Sequence, residues 1–192
     1  TTAASEDVAV WLEKVKKEMV VDSDTGKSRK LLNEKQYTMV EQVAHRVRQE
    51  LDAEDSADKE VSGEPFRWLL HGGPGTGKSH VIKVIKEGLF KGVLKWDIGV
   101  QFQIVALQAV MADLLGGDTI HHALGIPAFK RGQGASDELQ KHMDVAKKVL
   151  QWRWLIIDEI SMVGAKLLAV LDMKLREVIR DIGAEKNRNG LT

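Results

Sequence analysis

Residues 72–79, Gly-Gly-Pro-Gly-Thr-Gly-Lys-Ser, have the types and spacing of a loop that binds phosphate. Glycines let backbone N–H groups converge on phosphate oxygens, because no side chain blocks the approach. Lys78 can reach the β- and γ-phosphates of a nucleotide, and the Ser79 hydroxyl can ligate Mg²⁺. An apolar run precedes the loop and helical spacing follows it, so the pattern favours a nucleotide site over a plain glycine turn.

Two carboxylates, Asp158 and Glu159, follow the most apolar run of the chain. In an enzyme with such a phosphate loop, the Asp helps to hold Mg²⁺ and the next acid can polarise the attacking water. Acids at this place also suit a helix N-terminus, which is the structural alternative. Combined with the loop, the pair favours ATP hydrolysis over ATP binding alone. The predicted catalytic residues are therefore Lys78 and Glu159, and the predicted Mg²⁺ ligands are Ser79 and Asp158.

The composition limits the partners of the chain. Its 192 residues include 28 basic and 28 acidic side chains, so the net charge is zero, which argues against a strongly basic coat protein for nucleic acid. There is no cysteine, which excludes disulfides and thiolate chemistry. The longest uncharged stretch, Ile98–Ala112, is too short to span a bilayer, and no signal peptide is visible. We expect neither membrane insertion nor secretion.

Helices are indicated by capping and by apolar periodicity. Asn33 and Gln36 match a capping box, and the residues after them form one apolar face up to Leu51. The acid-rich stretch 52–64 predicts a solvated loop. A long helix near the end of the sequence is expected to stop at Gly183.

Strands are predicted where short apolar runs occur, over 66–71, 100–105 and 152–157. Trp68, Trp152 and Trp154, which lie in these runs, are expected to be buried. Because these runs alternate with helical segments, the sequence predicts an α/β fold with a parallel sheet.

Three segments together resemble the Pif-type branch of superfamily 1 DNA helicases. Within that branch they most resemble the helicase part of Helitron transposons. They are the phosphate loop, Gly116-Gly-Asp-Thr-Ile-His121, and Ile157-Asp-Glu-Ile-Ser-Met-Val163. The resemblance covers roughly 31–182 and implies a RecA-like P-loop NTPase domain, ATP and Mg²⁺ as cofactors, and single-stranded DNA as partner. Leu32-Asn-Glu-Lys-Gln36 resembles the Q motif, in which the Gln reads adenine. The predicted nucleotide contacts are Gln36, Gly72, Gly73, Gly75, Thr76, Gly77, Lys78, Ser79 and His80.

The segment expected to contact DNA departs from the family pattern. Thr119 and His121 match positions that lie along the single strand in the family. Gln108-Ala109, however, stands where the family has a Thr-Gly pair that approaches the DNA backbone. The resemblance thus implies DNA contact at Thr119 and His121 and puts ordinary strand engagement at 108–109 in doubt.

The resemblance also implies a truncated motor, because the family's Gly-Asp-x-x-Gln-Leu segment and second RecA-like domain are not in the sequence. The expected sheet therefore has a gap at its centre. We divide the chain into an N-terminal extension (1–32), an adenine-side helix and acidic loop (33–64), a partial RecA-like domain (65–183) and a polar tail (184–192).

The leading hypothesis is the ATPase motor domain of a 5′-to-3′ DNA helicase of replication, repair, recombination or transposition, nuclear or mitochondrial in a eukaryote. The alternatives are a non-enzymatic nucleotide-binding or scaffolding remnant of such a helicase, and a stand-alone ATPase of the loader type.

Overall fold

The computed structural model describes residues 2–21, 23, 26–55, 66–126 and 143–188. They belong to two units, residues 1–95 and residues 96–192. Among the described residues, no helix is both long enough and apolar enough to cross a membrane.

Two long helices carry the core of the first unit. Helix α1 (Ala3–Lys17) packs on helix α2 (Glu34–Asp55), and a short antiparallel hairpin, β1 (Met19–Val21) and β2 (Ser28–Lys30), lies between them in the chain. The start of α1 is tied to the end of α2, because Asp52 accepts hydrogen bonds from the Thr2 N–H at 3.0 Å and from the Ser5 hydroxyl at 3.3 Å.

The helix that follows the phosphate loop completes this core. It begins as α3 (Lys78–Lys83) and continues without a break as a π-helical segment, Val84–Val93. Apolar side chains from all these helices are buried together in the unit: Val8, Leu12, Val15, Val40, Val43, Ala44, Val47, Val81, Ile82, Ile85, Leu89 and Phe90.

The predicted capping box at the start of α2 is confirmed. The Asn33 N–H donates to Gln36 Oε1 at 3.0 Å, and the Gln36 N–H donates to Asn33 Oδ1 at 2.9 Å. The helix runs on to Asp55, so residues 52–55 belong to α2 and not to an acidic loop. The remaining residues of that predicted loop, 56–64, lie outside the described residues.

The predicted strand over residues 66–71 is wrong. These residues form no strand, and Trp68 and Leu69 have 42% and 64% of their surface exposed. An apolar run becomes a strand only where a neighbouring strand takes its backbone hydrogen bonds. None of the described strands pairs with 66–71. The expected burial of Trp68 fails for the same reason; its ring centroid lies 5.8 Å from that of Phe66. Trp152 and Trp154 are half-buried.

A parallel sheet forms the centre of the second unit, as predicted. Its described strands have the order β4 (Asp118–Thr119), β3 (Phe102–Ala106), β5 (Trp154–Ile157), with Ile104 opposite Ile156. Every residue of β3 is buried, including Gln103, and its other four residues are apolar, as expected of a strand that is covered on both faces. The α/β class expected from the sequence is confirmed.

Helices cover this sheet. They are α4 (Ala109–Leu114), α5 (Ile120–Ala123), α6 (143–149) and α7 (Ala165–Arg188), with a 3₁₀ turn at Ile160–Met162 before the last. Side chains from β3, α5, α6 and α7 meet in one apolar cluster that includes Val105, Ile120, Leu124, Val149, Leu171 and Val178.

The expectation that Gly183 ends the last helix is wrong, because α7 continues to Arg188. A glycine inside a helix costs only about 1 kcal/mol relative to alanine. The following Ala184, Glu185 and Lys186 are good helix formers, so the sequence on both sides favours continuation.

Candidate nucleotide site

Two left-handed glycines shape the phosphate loop, residues 72–79. Gly75 has φ +71° and Gly77 has φ +84°, values that other residues adopt only under strain. Gly77 is also the N-cap of α3, and as a glycine it has no side chain to cap the first N–H groups of that helix. The helix start therefore presents backbone donors of the kind that bind anions.

Internal hydrogen bonds hold the loop in a tight turn. The Thr76 hydroxyl donates to the Gly73 carbonyl at 2.8 Å. A Cβ at Gly72 would lie 2.7 Å from Thr76 Oγ1, so the loop closes this tightly only with glycine at that position. The predicted residues Gly72, Gly73, Gly75, Thr76 and Gly77 are thus brought together as one turn.

The ammonium group of Lys78 lies against the loop that it is predicted to serve. Its Nζ donates to the Gly72 carbonyl at 2.8 Å and to the Gly73 carbonyl at 3.1 Å. Both acceptors are neutral carbonyl oxygens, so an incoming phosphate oxygen would replace them with an acceptor whose charge is opposite to that of the ammonium.

Gln36 reaches the phosphate loop from the first turn of α2. Its Nε2 donates to the Thr76 carbonyl at 3.1 Å, while its Oε1 accepts from Asn33. A Cβ on Gly77 would overlap Gln36 Nε2, so the amide lies directly on the loop. The second amide proton of Gln36 is left over in this arrangement, and its predicted contact with adenine stays a prediction.

His80 contacts the segment that leads into α2. Its Nε2 lies 2.9 Å from the Leu31 carbonyl oxygen. The sequence pattern placed His80 beside the nucleotide but did not indicate this contact, because the two residues are 49 positions apart. Tyr37, next to Gln36, has a pKa raised above its ordinary value by partial burial and by the nearby Glu41 carboxylate.

The acidic pair lies in the second unit, directly after β5. The Asp158 N–H donates to the Val105 carbonyl at 2.8 Å, which extends the strand pairing by one residue. Glu159 then turns the chain with φ +49° and ψ +45° and opens the 3₁₀ turn. A glutamate in this conformation is strained, and such strain is concentrated at functional sites.

The residues predicted to contact DNA take part in local structure. The Thr119 hydroxyl caps α5 by accepting the His122 N–H at 3.2 Å, and the Thr119 N–H donates to Asp118 Oδ1 at 2.7 Å. Asp118 also pairs with His122 Nδ1, a contact that the sequence pattern did not indicate. His121 is half-buried in the same turn. Among the described residues, no cluster of three His, Cys, Asp or Glu side chains could hold a metal ion.

Comparison with known proteins agrees with the resemblance read from the motifs. The family model described as PIF1-like helicase matches residues 31–191. The chain belongs to this family. It is 35% identical over 112 residues to the ATP-dependent DNA helicase PIF1 of Saccharomyces cerevisiae (strain YJM789). It is 36% identical over 111 residues to the ATP-dependent DNA helicase RRM3 of S. cerevisiae (strain ATCC 204508 / S288c).

These similarities cover only part of each relative. Each alignment spans 56% of this chain, but 12% of the PIF1 protein and 14% of the RRM3 protein. No solved structure matches the chain. The sequence therefore establishes the family, but these partial alignments do not establish the activity of a whole helicase.

Proposed function

We propose that this chain is the ATP-binding and ATP-hydrolysing motor domain of a 5′-to-3′ DNA helicase. The observation that carries the proposal is the phosphate loop. Its left-handed glycines lead directly into α3, and Lys78 donates hydrogen bonds to two uncharged loop carbonyls. This arrangement suits a ligand with several phosphate groups.

ATP and Mg²⁺ are the proposed ligands. The nucleotide phosphates would be held by the backbone of 72–80 and by Lys78, and Gln36 would contact the adenine. Mg²⁺ prefers oxygen ligands, and the proposed ones are the Ser79 hydroxyl and the Asp158 carboxylate. When bound, the cation neutralises charge on the phosphates.

Glu159 is the proposed general base. A carboxylate can take the proton of the attacking water as that water approaches the terminal phosphate, while Lys78 offsets the negative charge on the phosphate oxygens. The strained backbone of Glu159 supports this role, because an unfavourable conformation is retained where the direction of a side chain matters.

Single-stranded DNA is the proposed partner, with Thr119 and His121 as candidate contacts. Support comes from the two relatives, whose names describe ATP-dependent DNA helicases. In a eukaryote we propose action in the nucleus or in mitochondria, in DNA replication, repair or recombination or in transposon replication, together with the remaining helicase domains.

Nucleotide titration of the full chain tests the proposal. Lys78→Ala should weaken Mg²⁺–ATP binding by about 10- to 100-fold, since a hydrogen bond to a charged group is worth about 1.5–3 kcal/mol. Lys83, exposed on the same helix, supplies the control, and Lys83→Ala should bind as the parent does. Equal ATP affinity of Lys78→Ala and the parent would remove the loop from nucleotide binding.

A second candidate function is a nucleotide-binding or scaffolding element without ATPase activity. Residues 66–71 form no strand, which favours this alternative, because phosphate loops of this type ordinarily follow a strand of the sheet. ATP binding without measurable phosphate release, with and without single-stranded DNA, would favour this alternative.

A further inference from the structure

A hydrogen bond joins the phosphate-loop helix to the segment before α2. His80 Nε2 lies 2.9 Å from the Leu31 carbonyl oxygen. A carbonyl oxygen can only accept, so Nε2 carries the proton and donates. Because His80 directly follows Ser79, this bond starts within the first turn of α3.

The segment it reaches, residues 31–36, is the adenine-side segment. Its backbone is fixed at the start by the Leu31 N–H, which donates to the Glu18 carbonyl at 2.9 Å. The Leu32 side chain is buried, and the capping box closes the far end at Gln36. The segment therefore contacts the phosphate loop and its helix at two places, through His80 and through Gln36.

We propose that His80 is a positioning residue for recognition of the base. Its hydrogen bond to Leu31 fixes the distance between the adenine-side segment and the phosphate loop. Gln36 can then contact the adenine of a nucleotide whose phosphates the loop binds. This inference rests on the proposed function, in which Gln36 contacts adenine.

The two halves of the nucleotide depend on different contacts. Phosphate binding uses the loop backbone and Lys78, and the start of α3 is held separately by the Val81 N–H, which donates to the Gly77 carbonyl at 3.1 Å. Base recognition depends on where residues 31–36 lie. Loss of the imidazole donor should therefore weaken binding of the nucleoside part and leave binding of the phosphates unchanged.

Two probes separate these contributions, ATP and inorganic tripolyphosphate, each titrated with Mg²⁺ into the full 192-residue chain. His80→Leu keeps an apolar bulk without a donor and should weaken ATP by about three- to tenfold, the range for one lost hydrogen bond, with tripolyphosphate affinity unchanged. His80→Gln retains an N–H donor and should restore ATP affinity. His45→Leu, on an exposed position of α2, should match the parent with both probes.

Each other outcome overturns the inference. If His80→Leu weakens both probes equally, His80 is merely structural, and if ATP affinity is unchanged, the hydrogen bond has no role. If the parent binds ATP no better than tripolyphosphate, base recognition is absent while phosphate binding stands. If the parent binds neither, the proposed function fails as well. His80→Asn, whose amide is shorter than the imidazole, gives the same comparison if His80→Leu does not fold.

Discussion

Replacement of Gly77 by alanine tests how the phosphate loop is held against α2. Gly77 has φ +84°, and a Cβ there would overlap Gln36 Nε2. The left-handed backbone costs an alanine about 1–2 kcal/mol. Displacement of Gln36 would also break its hydrogen bond to the Thr76 carbonyl, worth about 1 kcal/mol. We therefore expect Gly77→Ala to lower the free energy of unfolding by about 2–3 kcal/mol.

Two other glycines provide matched controls. Gly75 has φ +71°, but a Cβ there meets nothing within 4 Å, so Gly75→Ala should cost only the backbone strain of about 1–2 kcal/mol. Gly164 has neither a left-handed backbone nor a neighbour within 4 Å of a built Cβ. Gly164→Ala should therefore cost only the preference for glycine over alanine at the N-cap of α7, about 0.5–1 kcal/mol, with no backbone strain.

Urea unfolding followed by circular dichroism measures these differences. The double variant Gln36→Ala/Gly77→Ala should cost less than the sum of the single variants by about 1 kcal/mol, because the first change removes the group that the new Cβ meets. If Gly77→Ala costs no more than Gly75→Ala, or if the two changes are additive, the contact between Gln36 and the loop does not exist in solution.

Three further predictions concern the chemistry and the DNA segment. Glu159→Gln should keep ATP affinity and lower ATP turnover by about 100-fold, the usual worth of general-base catalysis; a phosphate-release assay that finds more than roughly half the parent rate would exclude Glu159 as the base. Thr119→Val, which removes the hydroxyl that caps α5, should cost about 1 kcal/mol in urea unfolding, with Thr119→Ser close to the parent. Equal stability of all three proteins would mean that the cap contributes nothing. The chain alone should release no strand from a forked DNA duplex with ATP. Its motifs match one RecA-like domain, and zero net charge leaves little nonspecific affinity for DNA phosphates. ATP-dependent strand release would contradict this.

The features that the sequence predicted well are those set by neighbouring residues. The capping box needs only Asn33 and Gln36, three positions apart, and the glycine spacing of the phosphate loop fixes its turns locally. The strand at Phe102–Ala106 was visible because both of its faces are covered, so four of its five residues are apolar.

The features that it missed depend on distant partners. Residues 66–71 have the composition of a strand, but strand formation requires a hydrogen-bonding neighbour that composition does not reveal. The contact between His80 and Leu31 arises from packing of α3 beside α2. The left-handed turn at Glu159 had no local signal either, because glutamate is not a residue type that favours this conformation.

These contacts indicate which element positions the phosphate loop. In a P-loop fold the preceding strand normally presents the loop, but residues 66–71 form no strand here. The described side-chain hydrogen bonds from the loop and the first turn of α3 to other elements instead run to residues 31–36, through Gln36 and His80. Changes in the adenine-side segment should therefore alter the loop more than changes in 66–71 do. The proposed recognition of the base and of the phosphates would then depend on one short stretch of chain.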